Sequence, residues 1–392
     1  MSRRLTTAVL AAHWESISEG GWIARQVAGA LAGATDVHII TPDGTAPCTS
    51  IDGVFTLHRL GTPIEVTAEH RRDLLIEGIT QTADGDEPPV SAALASLLDR
   101  GILDPWQGAT DVLAGLRPDR AVIVGHQNVG ALAALDRHDG SLPMTLVALG
   151  SDPPSLAFPH FDQVFDRADS VLAVTEAERS TVVAHHGRAD AVRRIGAPMA
   201  ANPSARTEPN TWVGESEYIL VLTGVDEGAD HEENELGRLL RMRFPDHTVG
   251  IAHNDAFCAW RRGQVTRGWP IERASDLDRL MAWARATVDL HPGSFFARRC
   301  VTSLLFGTPI VVPAASRARE HASRGRGGLW FEGPADLVWC VEAMLDSSTR
   351  AACSAHGLGY AEEEYGSTDR FIDRVVHACG LATPEETTVL AT

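Results

Sequence analysis

The chain has 392 residues, 44% hydrophobic and 22% charged, enough for two α/β cores rather than one. Its 34 basic and 52 acidic residues leave a net charge of −18, which opposes nonspecific attraction to nucleic acid or an anionic membrane surface, so any phosphate site must be local. Every basic residue is an arginine, which excludes a lysine as phosphate clamp, Schiff base or general base.

The opening Ser2-Arg3-Arg4 followed by Leu5 to Ala12 reads as a first buried strand rather than a signal peptide, because the apolar run is short and leads straight into His13-Trp14-Glu15. Strand-like runs follow at Val37–Thr41, Ala121–Gly125, Thr145–Leu149 and Ser170–Val174. They alternate with segments of helical period at Ile23–Leu31, Val90–Arg100 and Glu176–His185. Apolar strands interleaved with helices predict a parallel sheet covered on both faces, a Rossmann-like unit over residues 1–200. Asp84-Gly85-Asp86-Glu87-Pro88-Pro89 reads as an exposed acidic loop.

A Pro, Asn, Ser and Thr-rich stretch then predicts a linker over 201–212. A second alternating series occupies 213–362, with strands at Tyr218–Thr223, Thr248–Ala252, Thr287–His291 and Ile310–Pro313. Its helices are read at Glu232–Arg243, Asp276–Arg285, Ala297–Phe306 and Pro334–Leu345. From Ala351 to Cys379 the period is helical but broken by Gly357, Gly359 and Gly366, and the tail over 381–392 carries no core pattern.

Six scattered cysteines, with no Cys-x-x-Cys and no Cys/His cluster at zinc spacing, suit a reducing cytoplasm and give no expectation of a metal. With no run of about 18 apolar residues, no membrane span is expected.

Candidate site residues gather where strands end. Gly20 and Gly21 stand between the first strand and a helix read as opening at Ile23, where backbone amides can approach an anion. His126, Gln127 and Asn128 follow an apolar strand, and Asp152 follows the next, at the carboxyl ends where ligands of α/β sheets bind. In the second half, Gly224 follows the first strand. Ser294, Phe295, Phe296, Ala297, Arg298, Arg299 and Thr302 form a loop-to-helix cradle closed by Gly307-Thr308-Pro309. Arg298 or Arg299 can fork onto a phosphate from the first helical turn. Thr175 and Glu178 read as a helix capping box and thus as scaffold.

The stretch from Leu290 to Val312 resembles the donor-binding segment of retaining, family-4-type glycosyltransferases of the GT-B architecture. Phe165 to Glu178, Arg285 to Pro292 and Gly327 to Leu337 resemble further segments of that family in the family's order, spanning about residues 166 to 365. The resemblance implies two Rossmann-like domains facing each other across a cleft, acceptor side first and donor side second, with the helix over 363–380 crossing back to the first. It implies transfer of a sugar from a nucleotide-diphosphate donor to a hydroxyl acceptor with retention of configuration, with no metal and no cofactor beyond the co-substrate. His126 would then stand beside the donor sugar, Gly20 and Gly21 between donor phosphate and acceptor, and Gln127, Asn128 and Asp152 on the acceptor side. Two family glutamates, on the sugar hydroxyls and the ribose, fall at Ser294 and Thr302. The family's Arg/Lys pair after the first C-terminal strand is missing from Leu222 to Gly228. Hydrogen bonds to charged groups are worth about 1.5–3 kcal/mol against about 1 kcal/mol for neutral ones, so the donor is gripped more weakly or differently. Those losses also fit a second expectation, a degenerate pseudo-glycosyltransferase acting as a binding or partner subunit.

Overall fold

The computed structural model describes residues 3–12, 14, 19–42, 46–61, 106, 108–126, 128–149, 159–207, 218–223, 230–253, 256–261, 264–271, 274–290 and 296–381. The chain divides into two compact units, Met1–Ala197 with Asp369–Thr392, and Pro198–Thr368.

Unit 1 contains, in order, β1 (Thr6–Ala11), α1 (Glu19–Ala32), β2 (Asp36–Thr41), β3 (Cys48–Asp52), β4 (Phe55–Arg59), α2 (Ala109–Leu116), β5 (Arg120–Val124), α3 (Val129–Asp139), β6 (Met144–Val147), α4 (Pro159–Arg167), β7 (Ser170–Ala173), α5 (Glu176–His186) and β8 (Val192–Arg194). Its sheet runs β3-β4-β2-β1-β5-β6-β7-β8, parallel except for the β3–β4 hairpin. The central strands are apolar and buried along their length, as a sheet covered on both faces requires. The order reverses at β1, which pairs with β2 on one side and β5 on the other.

Unit 2 contains α6 (Ser204–Thr207), β9 (Tyr218–Leu222), α7 (Asp230–Arg243), β10 (Thr248–His253), β11 (Ala256–Arg261), β12 (Gln264–Pro270), α8 (Ala274–Trp283), β13 (Ala284–Asp289), α9 (Arg298–Leu305), β14 (Ile310–Pro313), α10 (Arg319–Ser323), β15 (Gly328–Phe331), α11 (Pro334–Leu345) and α12 (Ser347–Glu364). The last helix, α13 (Thr368–Ala378), belongs to unit 1 from Asp369 onward, and there Arg374 donates to the Ile195 carbonyl at 3.3 Å. The second sheet runs β12-β11-β10-β9-β13-β14-β15, and its order reverses at β9, between β10 and β13. Alternate residues of β9 serve opposite faces. Ile219 and Val221 join a core with Leu240, Leu337 and Val341, while Leu220 and Leu222 join one with Leu280, Met281 and Phe306.

The structure corrects the sequence reading at several elements. Helix α1 opens at Glu19, so Gly20 and Gly21 lie in its first turn rather than in a turn before Ile23. Strand β13 begins at Ala284, three residues before the predicted start. Helix α12 runs unbroken through Gly357 and Gly359. A Cβ on Gly357 would stand 2.7 Å from Leu304 Cδ2 and 2.8 Å from the Gly327 Cα, so this glycine permits a close approach instead of ending the helix. The β3–β4 and β11–β12 hairpins carry no predicted element. The predicted helix at 90–100 lies outside the described residues, as do 208–212 of the predicted linker; α6 falls within the linker's first part.

Candidate functional site

Two places in the molecule have the layout that α/β sheets use to hold ligands, the carboxyl ends of strands at a reversal of strand order. In unit 1 this is the end of β1 and β5, and in unit 2 the end of β9 and β13. Every candidate residue picked from the sequence follows one of these four strands, except Asp152, which follows β6. Gln127, Asp152, Gly224, Ser294 and Phe295 lie outside the described residues.

In unit 1, β5 leaves the sheet through Gly125, whose φ of 92° suits a residue without a Cβ. His126 comes next and is 1% exposed. Its ring tilts against Phe165 with centroids 5.5 Å apart, and Phe165 in turn stacks on His186 at 4.2 Å. Asn128 turns its side-chain amide back onto the Val124 carbonyl at 2.5 Å and does not cap α3 with its side chain. That bond fixes the loop carrying His126. Gly20 is half-buried and Gly21 buried, at the amino end of α1, where first-turn amides lack intrahelical acceptors. Behind these loops, Thr175 Oγ1 accepts from the Glu178 amide at 3.1 Å, while the Glu178 carboxylate accepts from Val174, one residue before the cap. The capping box predicted there is thus a scaffold, shifted by one residue on its reciprocal bond.

In unit 2, β13 ends at Asp289, which is 5% exposed and paired in register with Leu222 of β9. Arg299 donates to Asp289 Oδ1 at 3.0 Å and to the Thr223 carbonyl at 3.3 Å, so its guanidinium ties together the ends of both strands. Cys300 adds a thiol contact to the second Asp289 oxygen at 3.5 Å. Arg298, one residue earlier, is exposed. Burial pushes the Asp278 carboxyl on α8 above the usual range, and the Arg298 guanidinium partly offsets this, which places the two groups within electrostatic reach. Thr302 is buried on α9, and Ser303 below it bonds Thr287 Oγ1 at 2.8 Å and the Thr308 carbonyl at 3.1 Å, locking helix to sheet.

The entry into α9 has an unusual backbone. Ala297 is left-handed, φ 53° and ψ 48°, a conformation that costs a residue with a Cβ about 1–2 kcal/mol. Ala297 provides no side-chain cap, and its carbonyl accepts from the Cys300 and Val301 amides at 2.9 and 3.2 Å. The residue before it is anchored: Phe296 is fully buried, and its carbonyl faces His321 Nε2 at 3.0 Å. The other ring nitrogen of His321 meets Tyr360 Oη at 3.2 Å, and Tyr360 Oη meets Tyr365 Oη at 3.4 Å. With Tyr360 donating to Nδ1, His321 carries its proton on Nε2 and donates to the Phe296 carbonyl. An aromatic cluster of Phe296, His321, Tyr360 and Tyr365 therefore holds the peptide that forces the turn.

Asp289, His321, Tyr360 and Tyr365 were not among the predicted residues. Asp289 had a signal, being the polar end of an apolar strand. His321 and the tyrosines had none, because only folding brings α10 and α12 to the loop.

Two doubly wound sheets carrying these loops make the GT-B fold, and solved structures of that class superpose on nearly the whole chain. An α,α-trehalose-phosphate synthase (UDP-forming) from Burkholderia vietnamiensis matches with a TM-score of 0.64 and 14% identity, covering 96% of this chain and 98% of that one. The E. coli trehalose-6-phosphate structure bound with UDP-2-fluoro glucose gives 0.63 and 12%, over 97% and 100%. Sucrose-phosphate synthase from Thermosynechococcus elongatus gives 0.61 and 13%, over 99% and 100%. No protein-family model matches the sequence, and no curated protein matches it. At these identities the likeness establishes the fold. Among the described residues no helix is long and apolar enough to cross a membrane.

Proposed function

We propose that the protein is a glycosyltransferase that moves a sugar from a nucleotide-diphosphate donor to a hydroxyl acceptor with retention of configuration. The observation that supports it most is the amino end of α9, entered through left-handed Ala297 at the strand-order reversal of unit 2, with exposed Arg298 in its first turn. Helix amino ends and guanidinium forks both favour phosphate.

In this reading unit 2 holds the donor. Arg298 at the amino end of α9 meets the diphosphate, Gly224, Ser294 and Phe295 belong to the donor side, and Thr302 replaces an acidic ribose contact with a neutral one. Arg299 is a positioning residue, since its guanidinium joins Asp289 to Thr223. The family resemblance further assigns His126 to the sugar, Gly20 and Gly21 to the phosphate, and Gln127, Asn128 and Asp152 to the acceptor. The acceptor oxygen bonds to the anomeric carbon as the bond to the donor phosphate breaks. The hydroxyl proton passes to the departing phosphate oxygen on the same face, so nucleoside diphosphate leaves and configuration is kept. Stabilising that leaving charge is the protein's main work.

The test combines calorimetry with turnover. Nucleoside diphosphates and their sugars are titrated into the protein, and bound donors are then assayed with hydroxyl acceptors. One donor should bind and turn over with the anomeric configuration unchanged, and Arg298→Ala should weaken binding by about 10-fold, the loss of one charge-assisted contact. Binding without turnover would select the degenerate, binding-subunit reading that the hydroxyls at Ser294 and Thr302 favour. No binding by any nucleotide would remove both.

A further inference from the structure

Outside these loops, α4 and α5 of unit 1 bring together Asp162, His185 and His186 so that one ligand atom from each lies within 4.8 Å of the others. Asp162 Oδ1 is 3.4 Å from His185 Nε2 and 3.9 Å from His186 Nε2. We propose that these three residues form a binding site for one tetrahedral divalent cation of the zinc class, with water as the fourth ligand.

The spacing is the first argument. Tetrahedral bonds of about 2.0–2.1 Å put neighbouring ligand atoms about 3.3 Å apart, whereas octahedral bonds of that length bring them to about 3.0 Å. The Asp162–His185 separation of 3.4 Å stands at the tetrahedral edge, and the Asp162–His186 separation of 3.9 Å stands above it. The donor set, two imidazoles and one carboxylate, is one that zinc accepts.

Satisfaction of the buried groups is the second. The His186 side chain is 7% exposed, and neither its Nε2 nor Asp162 Oδ1 has a hydrogen-bond partner among the described residues. Buried polar atoms are seldom left so. A cation at the centre would satisfy all three atoms at once.

The surroundings are also built to hold the ring. Phe165 stacks on His186 with an interplanar angle of 25°. Arg188 donates to the Phe165 carbonyl at 2.9 Å and fastens the end of α4 beside the end of α5. No sequence motif announces the site, because the histidines are adjacent and their carboxylate arrives from another helix.

The test is titration of Zn²⁺ alone into the metal-stripped full-length protein, with Co²⁺ as a spectroscopic stand-in. One ion per chain should bind, and Co²⁺ should give the intense visible absorption of four-coordinate cobalt. His185→Ala and Asp162→Asn should each weaken binding at least about 100-fold, more than loss of an outer-shell partner costs. His356→Ala, at an exposed helical position, should leave it unchanged. Zinc should raise the melting temperature of the parent and of His356→Ala but of neither ligand variant. Because His185 is partly exposed, its variant should melt like the metal-free parent. Absence of stoichiometric binding, or binding that survives both ligand substitutions, would overturn the site.

Discussion

Arg298 and Arg299 are adjacent and identical in type, yet their surroundings assign them different work. Arg299 spans Asp289 and the Thr223 carbonyl with a side chain 30% exposed, against 7% for Asp289. Removing it leaves a buried carboxylate without its countercharge, and breaking such a pair is costly even where the intact pair contributes little. Arg299→Ala should therefore lower stability by about 2–3 kcal/mol, below the 3–5 kcal/mol of a fully buried pair because the arginine is partly solvated. Arg298→Ala, at an exposed position, should stay within about 0.5 kcal/mol of the parent. Chemical denaturation of the two variants separates them, and equal losses would deny Arg299 its structural role. The sequence placed both arginines in the right helical turn but not their directions, since the partners of Arg299 come from β9 and β13, 76 and 10 residues away.

At the level of elements, the glycines of α12 show where local rules succeed and fail. Read along the chain, Gly357 and Gly359 are two helix breakers two residues apart. In the folded unit they are unlike: Gly357 is buried where a Cβ would stand 2.7 Å from Leu304 and 2.8 Å from Gly327, while Gly359 is exposed with nothing within 4 Å. Gly359→Ala should stabilise the protein by about 0.5–1 kcal/mol, the ordinary helical gain. Gly357→Ala should destabilise it by about 1–2 kcal/mol, because overpacking of about 1–3 kcal/mol exceeds that gain. Thermal melts giving the same sign for both would contradict the close approach. Tyr218–Leu222, Ile310–Pro313 and Pro334–Leu345 were legible because burial on both faces or a Pro at the first turn writes itself into local sequence. The β3–β4 hairpin was not, since β3 is an edge strand with four of its five residues exposed and no apolar alternation to read.

For the whole molecule, the two units should respond to acid with opposite signs. In unit 1, burial is the main cause lowering the basicity of His38, His58 and His186, and the His38 and His58 rings contact each other at 3.1 Å. A histidine whose folded pKa lies below its unfolded value of 6.5 binds fewer protons in the native state, so stability present above 6.5 is lost as pH falls through that value. In unit 2, burial raises the Asp278 carboxyl above its unfolded 3.8, so the native state binds the extra proton and that group favours folding as pH falls towards 3.8. Between about pH 7.5 and about pH 5.5 the histidine contribution should dominate, and unit 1 should lose protection while unit 2 keeps it. Hydrogen exchange read peptide by peptide at the two pH values, corrected for intrinsic rates, resolves the units separately. A His38→Gln, His58→Gln double variant, which removes two of the three rings whose basicity burial lowers, should show a shallower fall in unit 1. An unchanged slope in that variant, or equal loss in both units, would place the acid sensitivity elsewhere.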